Sequence, residues 1–177
     1  MNYFEFYQLP EAFNVDEAAV KRKFYALSKE YHPDFFVNDP EEKQQEILEL
    51  STVNNKAFQV LSSAGRRLEY ILQLHDLISE GEKYQLPQSF LMEMMEVNEV
   101  LMELEFEPDP VVLENTAKMV SVIEDDIKQE LHALTLSYDS GISTEEREII
   151  LLKIKDLYYR QKYLLRIRDS LNRFASR

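Results

Sequence analysis

Apolar residues recur at intervals of three and four along most of this chain, and the places where that rhythm breaks divide it into helices. Val20, Phe24, Leu27 and Tyr31 form a stripe roughly 60° wide at about 100° per residue, the mark of a helix with one buried face. Asn14 is the predicted N-cap of this helix, with Glu17 three positions on to complete a capping box. Pro33 stops it, because proline lacks the backbone donor and biases the residue before it away from helical geometry. Asp39-Pro40-Glu41-Glu42 then reads as N-cap, first-turn proline and dipole-favoured acids, opening a helix from Pro40 to about Leu61. Its inward stripe is Ile47, Ser51, Asn54, Phe58 and Leu61, with Ala57 alongside. The two stripes predict an antiparallel pair with His32-Pro33-Asp34 on a forced bend at its exposed tip. A core of this size is marginal, so Phe24, Leu27, Phe58 and Leu61 are each expected to contribute a few kcal/mol, on the scale of large-to-alanine losses.

A fourth helix is expected from about Ala64 to Ile78, ending where periodicity fails at Ser79-Glu80-Gly81-Glu82-Lys83. From Pro87 the pattern resumes in three longer segments. The first ends near Glu107-Pro108. The second opens at Asp109-Pro110 and runs to about Tyr138. The third opens at Ser143, with Glu146 completing a capping box, and continues towards Phe174. Helices joined by short turns pack as antiparallel neighbours, so these three form a bundle. The expected fold class is all-α, with a first domain over 1–78, a linker over 79–86 and a three-helix bundle over 87–177.

The helix before the bend has chemistry on its other side. Lys21, Arg22, Tyr25 and Lys29 share the face opposite the apolar stripe, and Val20 to Tyr31 carry a formal charge of +3. An exposed His32-Pro33-Asp34 at the end of such a helix resembles the J-domain, the module that stimulates ATP hydrolysis by DnaK-type chaperones. Tyr3-Phe4 and Tyr7-Gln8-Leu9 are similar to the short first helix of that family, and Asn55 to Leu61 to its third. Arg67-Leu68-Glu69-Tyr70-Ile71-Leu72 resembles the fourth helix of the HscB-type (Jac-type) co-chaperones of iron–sulfur cluster assembly. Two positions depart from the family pattern: Phe35 stands where a lysine is common, and Ser63-Ala64-Gly65 where Asp-Pro is. The resemblance implies that Lys21, Arg22, Tyr25, Lys29, His32, Pro33 and Asp34 bind a DnaK/HscA-type chaperone.

Composition narrows the remaining possibilities. The chain has 177 residues, 45% hydrophobic and 30% charged, which is ordinary for a globular protein. Without cysteine it forms no disulfide and cannot ligate an iron–sulfur cluster through thiolates, so any cluster belongs to a partner and no cofactor of its own is expected. A net charge of −13 argues against nucleic-acid binding. The absence of a signal-like segment or a long apolar run points to a bacterial cytoplasmic protein that does not enter membranes. The charge is unevenly spread: Leu86 to Glu130 holds twelve acids and two lysines, and Leu151 to Arg177 eight bases and two acids. Such segments either pack side by side or simply face solvent. His75 and His132 have no partners at metal-ligand spacing, no histidine has Glu three residues before it as a di-iron bundle needs, and no phosphate loop or nucleophile motif occurs. No enzyme is therefore expected; the resemblance implies instead an activator of a partner chaperone's ATPase.

The segment from Ser89 to Glu105 has two faces. Phe90, Met94, Val97, Leu101 and Leu104 suffice for packing. Opposite them fall Met92, Met95, Glu96, Glu99 and Glu103, with Leu91 and Met102 at the margin. Adaptable methionines ringed by acids suit a partner surface, while the same methionines could instead pack beneath a neighbouring element. The stretch resembles the one with which HscB-type proteins hold the IscU-type scaffold, which implies scaffold contacts at Leu91, Met92, Met95, Glu96, Glu99 and Glu103. The expected function is a co-chaperone that delivers this scaffold to its chaperone, stimulates the ATPase and so aids cluster transfer and protein maturation. The alternative is a general J-domain co-chaperone whose bundle binds another client.

Overall fold

The computed structural model describes residues 1–176, and all regular structure among them is helical. The helices are α1 (Tyr3–Phe6), α2 (Glu17–Glu30), α3 (Glu41–Leu61), α4 (Ala64–Leu74), α5 (Gln88–Phe106), α6 (Pro110–Asp139) and α7 (Thr144–Ala175), with a 3-10 turn at Pro33–Phe36. They form two compact units, Met1–Asp76 and Leu77–Arg177.

In the first unit α2 and α3 pair through the expected stripes. Phe24 stacks on Phe58 with ring centroids 4.2 Å apart. Val20, Ile47, Ala57 and Leu61 are buried, while Phe24, Leu27, Tyr31 and Phe58 are only half-buried. Short α1 is set by a reciprocal capping box between Asn2 and Glu5, and it buries Phe4 against the unit's core. Tyr3 stacks on Tyr70 of α4 at 4.7 Å, and its backbone N–H donates to the Tyr70 hydroxyl at 3.0 Å. Arg67 is buried yet satisfied: its guanidinium donates to the carbonyls of Phe13 and Leu61, which spares the fold an unpaired charge.

Three helix ends differ from the sequence expectation. The N-cap of α2 is Asp16, whose carboxylate accepts the Ala18 N–H at 2.9 Å; Asn14 stays outside and Glu17 is the first helical residue. A carboxylate complements the helix dipole better than an amide, so Asp16 wins between two competent caps. Hydrogen bonding, led by the Ala19 backbone, holds its carboxyl below the ordinary range. The N-cap of α3 is Pro40, with no side-chain bond from Asp39. The Gln44 amide instead reaches back to the carbonyls of Asp39 at 2.8 Å and Val37 at 3.3 Å, fastening the loop to α3. Finally α4 stops at Leu74, four residues short of Ile78, because Asp76 adopts φ 54° and turns the chain out of the helix.

The second unit begins at Leu77, so the 79–86 stretch expected as a linker belongs to it. That stretch is pinned to α7. Glu82 accepts from Lys155 at 2.7 Å and from the Tyr159 hydroxyl at 2.9 Å, and the Tyr84 hydroxyl donates to Asp156 at 2.8 Å. Tyr84 and Tyr159 also stack, with centroids 4.5 Å apart. Beyond it α5, α6 and α7 form the three-helix bundle. Asp109 caps α6, with Pro110 at the first turn; Ser143 and Glu146 form the capping box of α7; and Gly141, at φ 82°, makes the turn between those two helices. The core runs through Met94, Val97, Val120, Ile154 and Leu164. The acidic and basic segments do meet, since Arg168 of α7 forms a bidentate pair with Glu124 of α6.

Candidate partner-binding surfaces

The first surface lies on α2 and the turn after it. Lys21, Arg22, Tyr25 and Lys29 are all exposed, on the side of the helix away from Val20. Arg22 reaches the Asp16 cap at 3.4 Å, both side chains open to water, so this pair tethers the guanidinium loosely. His32, Pro33 and Asp34 are exposed, and they do more than flank a bend. His32 is the N-cap of the 3-10 turn, its Nδ1 accepting the Asp34 N–H at 3.3 Å, and the Asp34 carboxylate lies 3.8 Å from the same nitrogen. Because Nδ1 is an acceptor, the neutral ring carries its proton on Nε2. The turn therefore offers a partner one ring N–H donor and one carboxylate, both exposed.

Sequence reasoning left the neighbouring apolar residues out of this surface. Phe35, Val37 and Leu48 are exposed, and the Phe35 ring lies 5.5 Å from that of His32. The signal was present in Phe35 standing where the family commonly has lysine, but exposure of Val37 and Leu48 follows only from how the loop folds back on α3.

The second surface lies on α5. Phe90, Met94, Val97, Leu101 and Leu104 are buried, while Leu91, Met92, Met95, Glu96, Glu99 and Glu103 are exposed on one continuous side. The buried residues are supported from α7, where the Phe90 ring meets Tyr163 edge-on at 5.9 Å and Asn98 donates to the Tyr163 hydroxyl at 2.9 Å. The methionines thus do not pack beneath another element of their unit. No three His, Cys, Asp or Glu side chains converge as a metal site among the described residues, and no helix among them is long and apolar enough to cross a membrane.

Residues 86–172 match the family model described as the HSCB C-terminal oligomerisation domain. Among solved structures, the chaperone HscB from Vibrio cholerae is similar with a TM-score of 0.64 and 26% identity, over 99% of this chain and 98% of that one. The human co-chaperone protein HscB shares the fold, with a TM-score of 0.69 and 22% identity over 97% of this chain and 81% of that one.

Proposed function

The chain is an HscB-type co-chaperone, and on that premise we propose that it binds an IscU-type iron–sulfur scaffold through α5 and delivers it to a DnaK/HscA-type chaperone. In this reading it stimulates the chaperone's ATPase through α2 and the His32-Pro33-Asp34 turn, in the bacterial cytoplasm. The observation that carries the reading is the pair of exposed surfaces of opposite charge on two separate compact units. One is a cationic helix face ending in an exposed His-Pro-Asp turn, and the other an acidic helix face with an apolar centre that its own bundle leaves uncovered.

Opposite charges sort the two partners, because like-charged encounters are disfavoured and complementary ones accelerated. Holding both partners on one chain makes the second encounter intramolecular, which raises effective concentration without any new contact. The chain does no chemistry on ATP itself. His32 Nε2–H and the Asp34 carboxylate supply one donor and one acceptor to the chaperone, and the partner's own active site performs hydrolysis. The cluster is cargo held by the scaffold.

The test is steady-state ATP turnover by a DnaK-type chaperone from the source cell, with this chain alone and with purified scaffold. Stimulation by the chain, increased when scaffold is added, is expected. Replacing Leu91, Met92 and Met95 together with Ala should weaken scaffold binding by several kcal/mol, the scale of interface anchors, and leave stimulation without scaffold intact. A triple variant that bound scaffold like the parent would refute the α5 assignment.

A further inference from the structure

We propose that Met92, Met95 and Met102 of α5 form a reversible oxidation site, at which a peroxide converts thioethers to sulfoxides and so shuts off scaffold binding. The proposal rests on the scaffold reading and adds to it a means of regulating that surface. The chain has six methionines and neither cysteine nor tryptophan, so its thioethers are the side chains most open to two-electron oxidation. Four of the six stand on α5. Met92, Met95 and Met102 are 61%, 59% and 64% exposed, whereas Met94 among them is wholly buried. At about 100° per residue the three exposed side chains fall within about 80° of one another around the helix. Peroxide from solvent therefore reaches one side of α5 and spares the other.

The step balances with hydrogen peroxide alone. A sulfur lone pair attacks one peroxide oxygen, and the O–O bond breaks as the S–O bond forms. The departing hydroxide takes the proton of the transferred oxygen and leaves as water; sulfur has given up two electrons and peroxide has accepted them. The product changes what the face can do. A thioether offers adaptable apolar contact, whereas a sulfoxide is polar and accepts hydrogen bonds without donating any. Its neighbours Glu96, Glu99 and Glu103 are exposed carboxylates, which when ionised only accept as well and cannot pair with it. Closing a partner over the oxidised face therefore desolvates polar groups that the apolar contact was not built to satisfy. The bundle is indifferent, because its inward residues Phe90, Met94, Val97, Leu101 and Leu104 are buried on the other side of the helix. Thiol-dependent methionine sulfoxide reductases, one for each sulfoxide epimer, supply the reverse step. The exposure that admits peroxide admits them too.

The experiment treats the full chain with hydrogen peroxide, removes the excess with catalase, locates the added oxygen by peptide mass spectrometry and titrates purified IscU-type scaffold calorimetrically. Sulfoxide should form at Met92, Met95 and Met102 before Met94. Scaffold binding should weaken at least tenfold, with the melting temperature and the scaffold-free stimulation of the chaperone unchanged. Reductases of both epimer specificities should restore the affinity. Met119→Leu, at an exposed position of α6, should stay as sensitive to peroxide as the parent. In Met92→Leu/Met95→Leu/Met102→Leu the affinity after peroxide should equal that variant's own affinity before it. If the leucines themselves prevent binding, failure of the reductases to restore the parent overturns the proposal instead. An oxidised parent that binds like the reduced one overturns the switch and leaves the scaffold reading standing. So does a loss of affinity that persists in the triple leucine variant or disappears in Met119→Leu. Oxidation of Met94 with a fall in melting temperature would show unfolding, which also overturns it. A reduced parent that fails to bind scaffold refutes the scaffold reading, and the switch with it.

Discussion

The Tyr7 hydroxyl donates to the side-chain oxygen of Asn54 at 2.9 Å, with both residues buried, and through this contact three helices are tied together. Tyr7 caps the C-terminus of α1 and Asn54 lies in the middle of α3. The Asn54 amide turns the other way and donates to the Phe24 carbonyl at 3.1 Å and the Ser28 hydroxyl at 3.0 Å, both on α2. Burial pushes the Tyr7 phenol well above the ordinary tyrosine range, so it remains a donor at any physiological pH.

Asn54→Ala should therefore destabilise the first unit by about 1 to 3 kcal/mol, because it removes two bonds to α2 and leaves the buried Tyr7 hydroxyl only the backbone carbonyl of residue 54, at 3.1 Å. Tyr7→Phe should cost about 1 kcal/mol. Denaturant unfolding of both single variants and the double should show strong coupling, the double costing clearly less than the sum. Additive losses would mean that the two side chains act independently.

His32→Gln and Asp34→Asn should abolish stimulation of the chaperone ATPase while shifting stability by no more than about 0.5 kcal/mol, since both side chains are exposed. Circular dichroism and melting curves provide the control. A variant retaining full stimulation would remove the turn from the mechanism, and one that failed to fold would make it structural.

Lys21→Glu and Lys29→Glu should slow association with the chaperone and flatten its dependence on salt, with a smaller effect on dissociation. Exposed charges act mainly on encounter and are screened over about 8 Å at physiological ionic strength. Stopped-flow association measured across a salt series is the check. Equal rates for parent and variants at low salt would show that the basic face does not dock. Arg22 is the poorer probe, because reversing it also disturbs the Asp16 cap of α2.

The clamp on residues 82 to 84 should give the second unit two pH limits. The Lys155 and Tyr159 hydrogen bonds hold the Glu82 carboxyl below its ordinary range, so the stability it adds is present above that range and is lost as pH falls through the depressed folded value. Burial, followed by the bonds to Asp156 and Glu82, raises Tyr84 and Tyr159 to about 12. Their contribution is intact below about pH 10, the unfolded tyrosine value, and is lost as pH climbs towards 12. Thermal melting from pH 3 to 12 should show both losses. Glu82→Gln should blunt the acid limb and Tyr84→Phe the alkaline one, and a Glu82→Gln variant with the parent's acid profile would contradict the assignment.

The helices of the bundle and the exposed faces of α2 and α5 were legible because their signals are local. Asp109-Pro110 and Ser143 with Glu146 satisfy backbone donors within three residues, and that arithmetic is complete in the sequence. The basic face at Lys21, Arg22, Tyr25 and Lys29 follows from helical spacing alone, as does the division of α5 between Met94 and Met95.

Where the sequence offered two competent answers, contacts between distant residues chose. Asn14 and Asp16 are both good caps. Ile78 prolongs the apolar pattern of α4, yet the chain turns out at Asp76, and the stretch that follows is fastened by Glu82 and Tyr84 to α7 partners more than 70 residues away. Asn54 stood in an inward stripe as a polar exception, and the arrival of Tyr7 from 47 residues away, with the Phe24 carbonyl and Ser28 hydroxyl of α2, explains it. The sequence by itself determined which residues are helical and which faces are apolar or charged, because periodicity and capping act within about four residues. The tertiary structure alone decided which buried polar groups find partners and which apolar face stays uncovered, because those depend on side chains that meet only when the chain has folded.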